Sequence, residues 1–227
     1  MKLWLNRWND YAKETKNLEL LETPALIVFA KNPIPGKVKT RIATRTSDVY
    51  ALTVYEVLLQ MTLQTSQEFE GAVFIYYSDS ISPVCPIKGA KTCLQTGNDL
   101  GDRMLNAMKE TQQWHSNVLL IGSDCPYLRP TDFRAALRGL QSNDLVLGPT
   151  GDGGFYLIGM TRKGLDKALE NKLFNEVNWS TRSVFSKTSV NASKMGLKTA
   201  RLRMLWDMDT LEDWMSFTSM AGRLTNR

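Results

Sequence analysis

Four basic side chains crowd the segment KNPIPGKVKTR, which directly follows the apolar run ALIVFA at residues 25–30. They are Lys31, Lys37, Lys39 and Arg41. Like charges at this density repel one another unless an anion lies among them. Pro35 and Gly36 fix the path of the loop and let its backbone approach a ligand closely. In an extended segment Lys37 and Lys39 would point to the same side. The segment predicts a polyphosphate site, with a solvated surface loop as the alternative, and it contains neither a Walker loop nor a dinucleotide-binding motif.

Three aspartates follow predicted strands and could bind a divalent cation. Asp124 comes after NVLLIGS (117–123), where a carboxylate is costly to bury unless it finds a cation or hydrogen-bond donors. Asp207 and Asp209 flank one residue in WDMDT, so an extended backbone would direct both to one side. Such carboxylates favour Mg²⁺ or Mn²⁺. Asp209 also begins a D-T-x-E pattern typical of helix capping, and capping and metal binding could coexist across the two aspartates.

Two further loops have the character of ligand loops. The segment QTGNDLGDRM leads into a helix N-terminus, which suits an anion or a ribose. Its candidate nucleotide-binding residues are Gln95, Gly97, Asp99, Leu100 and Arg103. Arg103 could equally be a plain surface charge. The segment TGDGG (150–154) could be only a hairpin turn, or it could present backbone N–H groups beside Asp152 to an acceptor.

The segment NWST contributes three candidate acceptor-binding residues, Trp179, Ser180 and Thr181, and predicts the entry of a helix. Ser180 or Thr181 would cap the helix, and Trp179 would either pack in the core, which is favoured, or stack on a ligand.

Histidine and cysteine chemistry have little support. His115 is the only histidine, and its polar neighbours in TQQWHSN predict a surface residue without a catalytic role. The three cysteines, Cys85, Cys93 and Cys125, show no paired spacing. This argues against a zinc site or a disulfide framework and fits a reducing cytoplasm.

Strand and helix patterns alternate from about residue 25 to the end, which predicts one α/β domain with a mainly parallel sheet. Strands are predicted at ALIVFA, AVFIYYS, KTCLQ, NVLLIGS, DLVLGP, GFYLIGM and LKTARLRML. Helices are predicted after Ser47, over residues 99–114, at PTDFRAALRGL, at STRSVFSKTS and from DTLEDWMSF. Residues 1–23 form a predicted helical arm and residues 24–227 the domain. Ligands of such sheets collect at the carboxyl ends of the strands, where the basic loop and the three aspartates would meet.

Composition and charge limit the chemical class of the binding partner. The 227 residues carry a net charge of +5 and a pI of about 9.1, which favours an acidic partner. The basic excess is dispersed outside the opening loop, so a small anion is predicted and nucleic acid is not. The sequence contains no run of ~18 apolar residues and no signal-peptide pattern, so we expect no transmembrane helix and a cytoplasmic location. The N-terminal arm could serve homodimerisation.

Six segments, in this order, are similar to a bacterial family usually called DUF2064 or glycosyltransferase-A-like. They are FAKNPIPGKVKTRIA, QTGNDLGDRM, IGSDCPYLRPTD, LGPTGDGGFYLIGM, LFNEVNWST and DMDTLED. The resemblance spans about residues 25–215 and departs at Phe155, where Tyr is common, and at Leu211, where Pro is usual. It implies a Rossmann-like fold of the nucleotide-diphospho-sugar transferase superfamily, which binds a nucleotide with Mg²⁺ or Mn²⁺.

The resemblance leaves two transfer reactions open. Asp124-Cys125-Pro126 stands where glycosyltransferases of this fold have D-x-D, and K-x-K-T-R is similar to the 2-phospholactate guanylyltransferases. By that resemblance the triphosphate would be bound by Lys37, Lys39 and Arg41, and the metal by Asp124 and Asp209. The acceptor would lie at Asp152, Gly153 and Gly154. Nucleotidyl transfer from an NTP to a small phosphate or carboxylate acceptor is favoured. Glycosyl transfer from a nucleotide sugar, and nucleotide binding without turnover, are the alternatives.

Overall fold

The computed structural model describes residues 23–81 and 85–225. The arm predicted for residues 1–23 lies outside the described residues except for Thr23, so the predicted domain division stays a prediction. Within these ranges, no helix is long and apolar enough to cross a membrane.

In the described part of the chain, seven strands form one sheet in the order β3-β2-β1-β4-β6-β5-β7. They are β1 (Ala25–Ala30), β2 (Ala72–Tyr77), β3 (Lys91–Leu94), β4 (Asn117–Ile121), β5 (Leu145–Pro149), β6 (Phe155–Thr161) and β7 (Thr199–Arg201). Strand β1 runs parallel to both β2 and β4, β2 is parallel to β3, and β5 is parallel to β7. Strand β6 is antiparallel to β4 and β5, between which it lies. The predicted mixed, mainly parallel α/β sheet is confirmed.

Seven helices surround the sheet in the described residues. They are α1 (Thr40–Ala43), α2 (Asp48–Gln67), α3 (Leu100–Thr111), α4 (Pro130–Leu140), α5 (Arg162–Glu170), α6 (Val184–Lys194) and α7 (Leu211–Thr225). The Ser47 hydroxyl caps α2 by accepting from the Tyr50 N–H at 3.1 Å, as expected of a serine at that position. The sequence does not predict helix α5, because RKGLDKALE offers few apolar positions and contains a glycine.

Strand β1 shows why the apolar runs become strands buried on both faces. Ala25, Ile27 and Phe29 pack into the cluster formed with α3 and α5, while Leu26 and Val28 pack into the cluster formed with α4. A side chain of the size of Val, Leu, Ile or Phe contributes about 1.5–3 kcal/mol to stability when it is fully buried. These contacts fix β1 in the centre of the sheet, so the loop after it has a defined position.

Three predictions about local structure are wrong. His115 is not a surface residue: it is 5% exposed, its Nδ1 lies 3.0 Å from the Thr23 carbonyl oxygen, and its ring contacts Phe74 edge to face. Strand LKTARLRML is shortened to β7, although one further bridge joins Leu205 to Thr150. The predicted helix in STRSVFSKTS begins only at Val184, and neither Ser180 nor Thr181 caps it, since Ser183 occupies the cap position.

Candidate functional site

A cavity of about 610 Å³ opens at the carboxyl ends of β1 and β4. The loop after β1 brings basic side chains to it, the loop after β4 brings one carboxylate, and other loops supply the remaining charged residues. Its charged lining residues are Lys31, Lys39, Arg41, Arg103, Asp124, Asp152, Asp207 and Asp209. Basic and acidic side chains therefore share one edge of the sheet, as the sequence predicts.

Lys39 connects the basic loop to the aspartates by two ion pairs. Its ammonium Nζ lies 2.6 Å from Asp124 Oδ1 and 3.3 Å from Asp209 Oδ1. Arg41 Nη1 approaches Asp209 Oδ2 at 3.4 Å. Burial alone would lower the pKa of Lys39, but the charges of Asp124 and Asp209 more than offset it and raise the pKa.

A left-handed turn directs Lys39 inward. Gly36 has a φ of 77°, the Lys37 N–H donates to the Ile34 carbonyl at 3.1 Å, and Lys39 itself has φ 45° and ψ 45°. The segment is thus not extended, and the expected alignment of Lys37 with Lys39 is wrong. Val38 is buried, Lys39 reaches the carboxylates, and Lys37, Pro35 and Gly36 do not line the cavity. A non-glycine residue in this conformation costs of order 1–3 kcal/mol, which the ion pairs and packing must offset.

The loop after β7 carries the second and third carboxylates. The Met208 N–H donates to the Asp124 backbone carbonyl at 2.9 Å, so this loop is fixed against the end of β4. The cap of α7 is formed by Thr210 and Asp213, whose side chains accept from each other's backbone N–H groups. Asp209 is therefore not the capping carboxylate, and its side chain contacts Lys39 and Arg41 instead.

Asp207 is the third carboxylate of the acidic group and is half-buried. Burial, together with the neighbouring charges of Asp124, Asp209 and Asp152, raises its pKa to about 8. An additional cation would lower this pKa, since opposite charge favours the ionised carboxylate. Among residues 23–81 and 85–225, no three histidine, cysteine or carboxylate side chains already form a metal site. The three aspartates nevertheless supply only oxygen ligands, and this donor chemistry fits Mg²⁺ or Mn²⁺.

Tyr55 of α2 positions both strand ends, and sequence reasoning missed it. Its hydroxyl accepts from the Lys31 N–H at 2.8 Å and donates to the Lys31 carbonyl at 2.9 Å. It also lies 3.4 Å from the hydroxyl oxygen of Ser123, the residue before Asp124. Burial raises the pKa of Tyr55 to about 12, so the group remains a hydroxyl at neutral pH. In the sequence this tyrosine is one polar-tipped residue on an amphipathic helix, which gives no signal of its role.

The predicted nucleotide loop lies partly on the cavity. Gln95, Leu100 and Arg103 line it, whereas Gly97 and Asp99 do not. The Asp99 carboxylate caps α3 by accepting from the Asp102 N–H at 2.8 Å. Gln95 is held by its amide nitrogen, which donates to the carbonyl oxygens of Ala30 and Tyr76 at 3.3 and 2.9 Å. The loop thus has a structural part and a part that faces the cavity.

The predicted acceptor segments meet on the other wall. Asp152, Gly154, Trp179, Ser180 and Thr181 line the cavity, and Gly153 lies behind it. TGDGG is the turn of the β5–β6 hairpin, and two of its residues also line the cavity, so the acceptor role stays a prediction. The Asp152 carboxylate accepts from the Gly154 N–H at 3.1 Å.

Gly153 and Trp179 fix the shape of this wall. Gly153 has a φ of 95°, and a Cβ there would lie 2.2 Å from the Arg182 carbonyl oxygen, so the residue must be glycine. The Phe185 N–H donates to the Gly153 carbonyl at 2.8 Å. Trp179 packs on Phe174 with a ring separation of 5.3 Å and also borders the cavity, so its predicted core role does not exclude contact with a ligand.

A family model described as "Uncharacterized protein conserved in bacteria (DUF2064)" matches residues 62–181, which is more than half of the 227 residues. The chain belongs to the DUF2064 family. Comparison with curated proteins gives no match.

Solved structures share the fold. A protein from Desulfovibrio desulfuricans G20, proposed to be a nucleotide-diphospho-sugar transferase, is 29% identical with a TM-score of 0.75 over 84% of both chains. The 4-diphosphocytidyl-2C-methyl-D-erythritol synthase of Anaerococcus prevotii DSM 20548 is 13% identical with a TM-score of 0.60, over 91% of this chain and 99% of that chain. A CMP:2-keto-3-deoxy-manno-octonic acid synthetase complexed with CTP is 12% identical with a TM-score of 0.56, over 88% and 99%. The chain has the fold of the nucleotide-diphospho-sugar transferase superfamily and is a member of it.

Proposed function

We propose that this protein is a metal-dependent nucleotidyltransferase that transfers a nucleotidyl group from an NTP to a small phosphate or carboxylate acceptor. The observation that carries the proposal is the cavity in which Lys39 pairs with Asp124 and Asp209 while further basic side chains face it. Two structures of similar fold bear the names of cytidylyl-transferring enzymes, and one of them is a complex with CTP.

The balance of charges favours an NTP over a nucleotide sugar. Lys31, Lys39, Arg41 and Arg103 all border the cavity, and four cations suit the three phosphates of an NTP when a divalent ion occupies the carboxylates. The loop between β4 and α4 carries only one carboxylate, Asp124, and Cys125 and Pro126 come next. The second and third carboxylates come instead from the loop before α7.

Asp124, Asp207 and Asp209 would hold the divalent cation. A bound Mg²⁺ or Mn²⁺ would offset the negative charge of the phosphate oxygens. Burial and the crowding of carboxylates around Asp207 support this assignment, because they disfavour the ionised group until a cation is present.

The chain's own residues would act mainly by position and charge. An acceptor oxygen forms a bond to the α-phosphorus, the bond from that phosphorus to the bridging oxygen breaks, and pyrophosphate leaves with the electron pair. Lys39, Arg41 and Arg103 would offset the charge that develops on the pyrophosphate. A phosphate or carboxylate acceptor has no proton to lose, so a general base is not required. A hydroxyl acceptor would need one, and Asp152 is the candidate on the acceptor wall.

Glycosyl transfer is the second candidate, because the 29%-identical structure is proposed to be a nucleotide-diphospho-sugar transferase. In that reaction the same cavity would hold a nucleotide sugar, and the acceptor would attack the anomeric carbon with the nucleoside diphosphate leaving.

A cytoplasmic location forms part of the proposal, because NTPs are supplied there. The three cysteines of the described residues are all free thiols, as expected of a reducing compartment.

A thermal-shift panel of the four NTPs and the common UDP-, GDP- and dTDP-sugars, each with and without Mn²⁺, separates these functions. A ligand at a hundred times its Kd stabilises the native state by about 2.7 kcal/mol, which raises Tm by roughly 5–10 °C in a protein of this size. We expect stabilisation by one NTP with Mn²⁺, and pyrophosphate release from that NTP when an acceptor is supplied. A preference for a nucleotide sugar would assign glycosyl transfer, and a flat panel would contradict both functions.

Two variants locate the binding to the site. Asp124→Asn should lose the Mn²⁺-dependent shift while remaining folded. Asp166→Asn is the matched control, since Asp166 is exposed on α5 and does not line the cavity. An unchanged shift in Asp124→Asn would contradict the assignment of the site.

A further inference from the structure

Lys39 lies between the two carboxylates that the proposed metal ion would share. Its Nζ is 2.6 Å from Asp124 and 3.3 Å from Asp209, and its side chain is only 5% exposed. The two aspartate side chains are 43% and 39% exposed and line the cavity. A second cation can therefore reach the carboxylates from the cavity, while the lysine holds them from the protein side.

Both carboxylates are already matched by cations, because Arg41 adds a second positive charge at Asp209. A divalent ion that bound to them would lie within a few ångströms of the Lys39 ammonium. Like charges at that separation repel strongly where water is partly excluded. The carboxylate pair therefore cannot hold Lys39 and a divalent ion together at their full strength.

We propose that Lys39 is an exchangeable internal counter-ion: the divalent ion displaces it from Asp124 and Asp209, and the displaced ammonium then binds the phosphate chain of the donor. This inference rests on the proposed function. It makes Lys39 a coupling residue as well as a phosphate ligand. Metal alone binds weakly because it must displace the lysine, and a phosphate chain alone finds the lysine held by aspartates. Each ligand then strengthens the binding of the other by the same factor.

The sign of one mutational effect distinguishes this exchange from simple phosphate contact. Lys39→Met should bind Mn²⁺ alone, without nucleotide, roughly tenfold more tightly than the wild type, within the usual range of such coupling. Calorimetric titration with Mn²⁺ measures this. Lys37→Met is the matched control, because Lys37 belongs to the same basic loop but does not line the cavity, and its Mn²⁺ affinity should not change. A lysine that only contacts phosphate predicts no change in Lys39→Met, and that result would overturn the exchange.

A second measurement uses the wild-type protein and does not depend on how the variant folds. The rate at which a water-soluble acetylating reagent modifies Lys39, followed by mass spectrometry, should rise when Mn²⁺ alone is added. It should fall again when tripolyphosphate is added with Mn²⁺, while the rate at Lys37 serves as the internal reference. Bound Mn²⁺ with no rise at Lys39 would overturn the proposal.

The two proposals fail differently. Unchanged Mn²⁺ affinity in Lys39→Met, with nucleotide stabilisation intact in the wild type, overturns the exchange and leaves the proposed function. A flat nucleotide panel with a tightened Mn²⁺ site in Lys39→Met overturns the proposed function and leaves the exchange at the carboxylate pair. Failure of both proteins to bind Mn²⁺ overturns the exchange together with the metal assignment.

Discussion

Removal of a single hydroxyl group, in Tyr55→Phe, is expected to destabilise the protein by about 2 kcal/mol. The hydroxyl accepts from the Lys31 N–H and donates to the Lys31 carbonyl, so its loss leaves two backbone groups without these partners at the end of β1. A buried polar group that loses its partner costs about 1–3 kcal/mol. In a protein of this size each kcal/mol lowers Tm by about 2–4 °C, so we expect a decrease of about 4–8 °C.

The measurement is urea or thermal unfolding of the wild type and two variants under one set of conditions. Tyr50→Phe is the control: it removes the same group from the same helix, but Tyr50 is 42% exposed and should leave stability within about 0.5 kcal/mol of the wild type. Equal stabilities of Tyr55→Phe and Tyr50→Phe would refute the reasoning, because the hydroxyl of Tyr55 would then not hold the strand end.

Three further predictions concern pH, packing and the nucleotide. Burial lowers the pKa of His115 below its ordinary value of 6.5, so the unfolded chain binds the proton more tightly than the folded protein. The free energy of unfolding should therefore fall as pH decreases through about 6.5. In urea titrations between pH 7 and pH 5, His115→Asn should reduce that loss. Gly148→Ala should cost about 1–3 kcal/mol in the same assay, because its Cβ would lie 2.5 Å from a tyrosine ring, whereas a Cβ at Gly122 meets no atom within 4 Å and Gly122→Ala should be nearly neutral. Arg103→Met should weaken NTP binding roughly tenfold in calorimetry, and Lys109→Met, on the exposed face of the same helix, should not; equal affinities would exclude contact between Arg103 and the nucleotide.

The sequence predicts the sheet well because its central strands are continuous apolar runs. Residues 25–30 and 118–121 are buried on both faces, so composition and length suffice to predict them as strands. The meeting of basic and acidic loops follows from the rule that ligands collect at the carboxyl ends of parallel strands. The placement of β6 between β4 and β5 could not be predicted, because the order of strands depends on contacts between distant segments.

The errors arise where a tertiary contact overrides local pattern. His115 has polar neighbours in the sequence, and its burial results from Thr23, 92 positions away, and from the Phe74 ring. Lys37 and Lys39 would align only in an extended loop, and the left-handed conformation of Lys39 removes that alignment. The pairing of Lys39 with Asp209 spans 170 positions and shows no local signal.

The hydrogen bond from the Phe185 N–H to the Gly153 carbonyl has a consequence for how members of this family can diverge. It ties the β5–β6 turn to the start of α6, so the segment from about residue 150 to residue 185 carries one wall of the cavity, while Lys39 and Asp124 belong to the other. Selection for a new acceptor can then alter the first wall and leave the cation-rich wall unchanged. An exchange of this segment between two family members should transfer acceptor preference as one inherited unit, whereas exchange of the 150–154 turn alone would break its contact with α6.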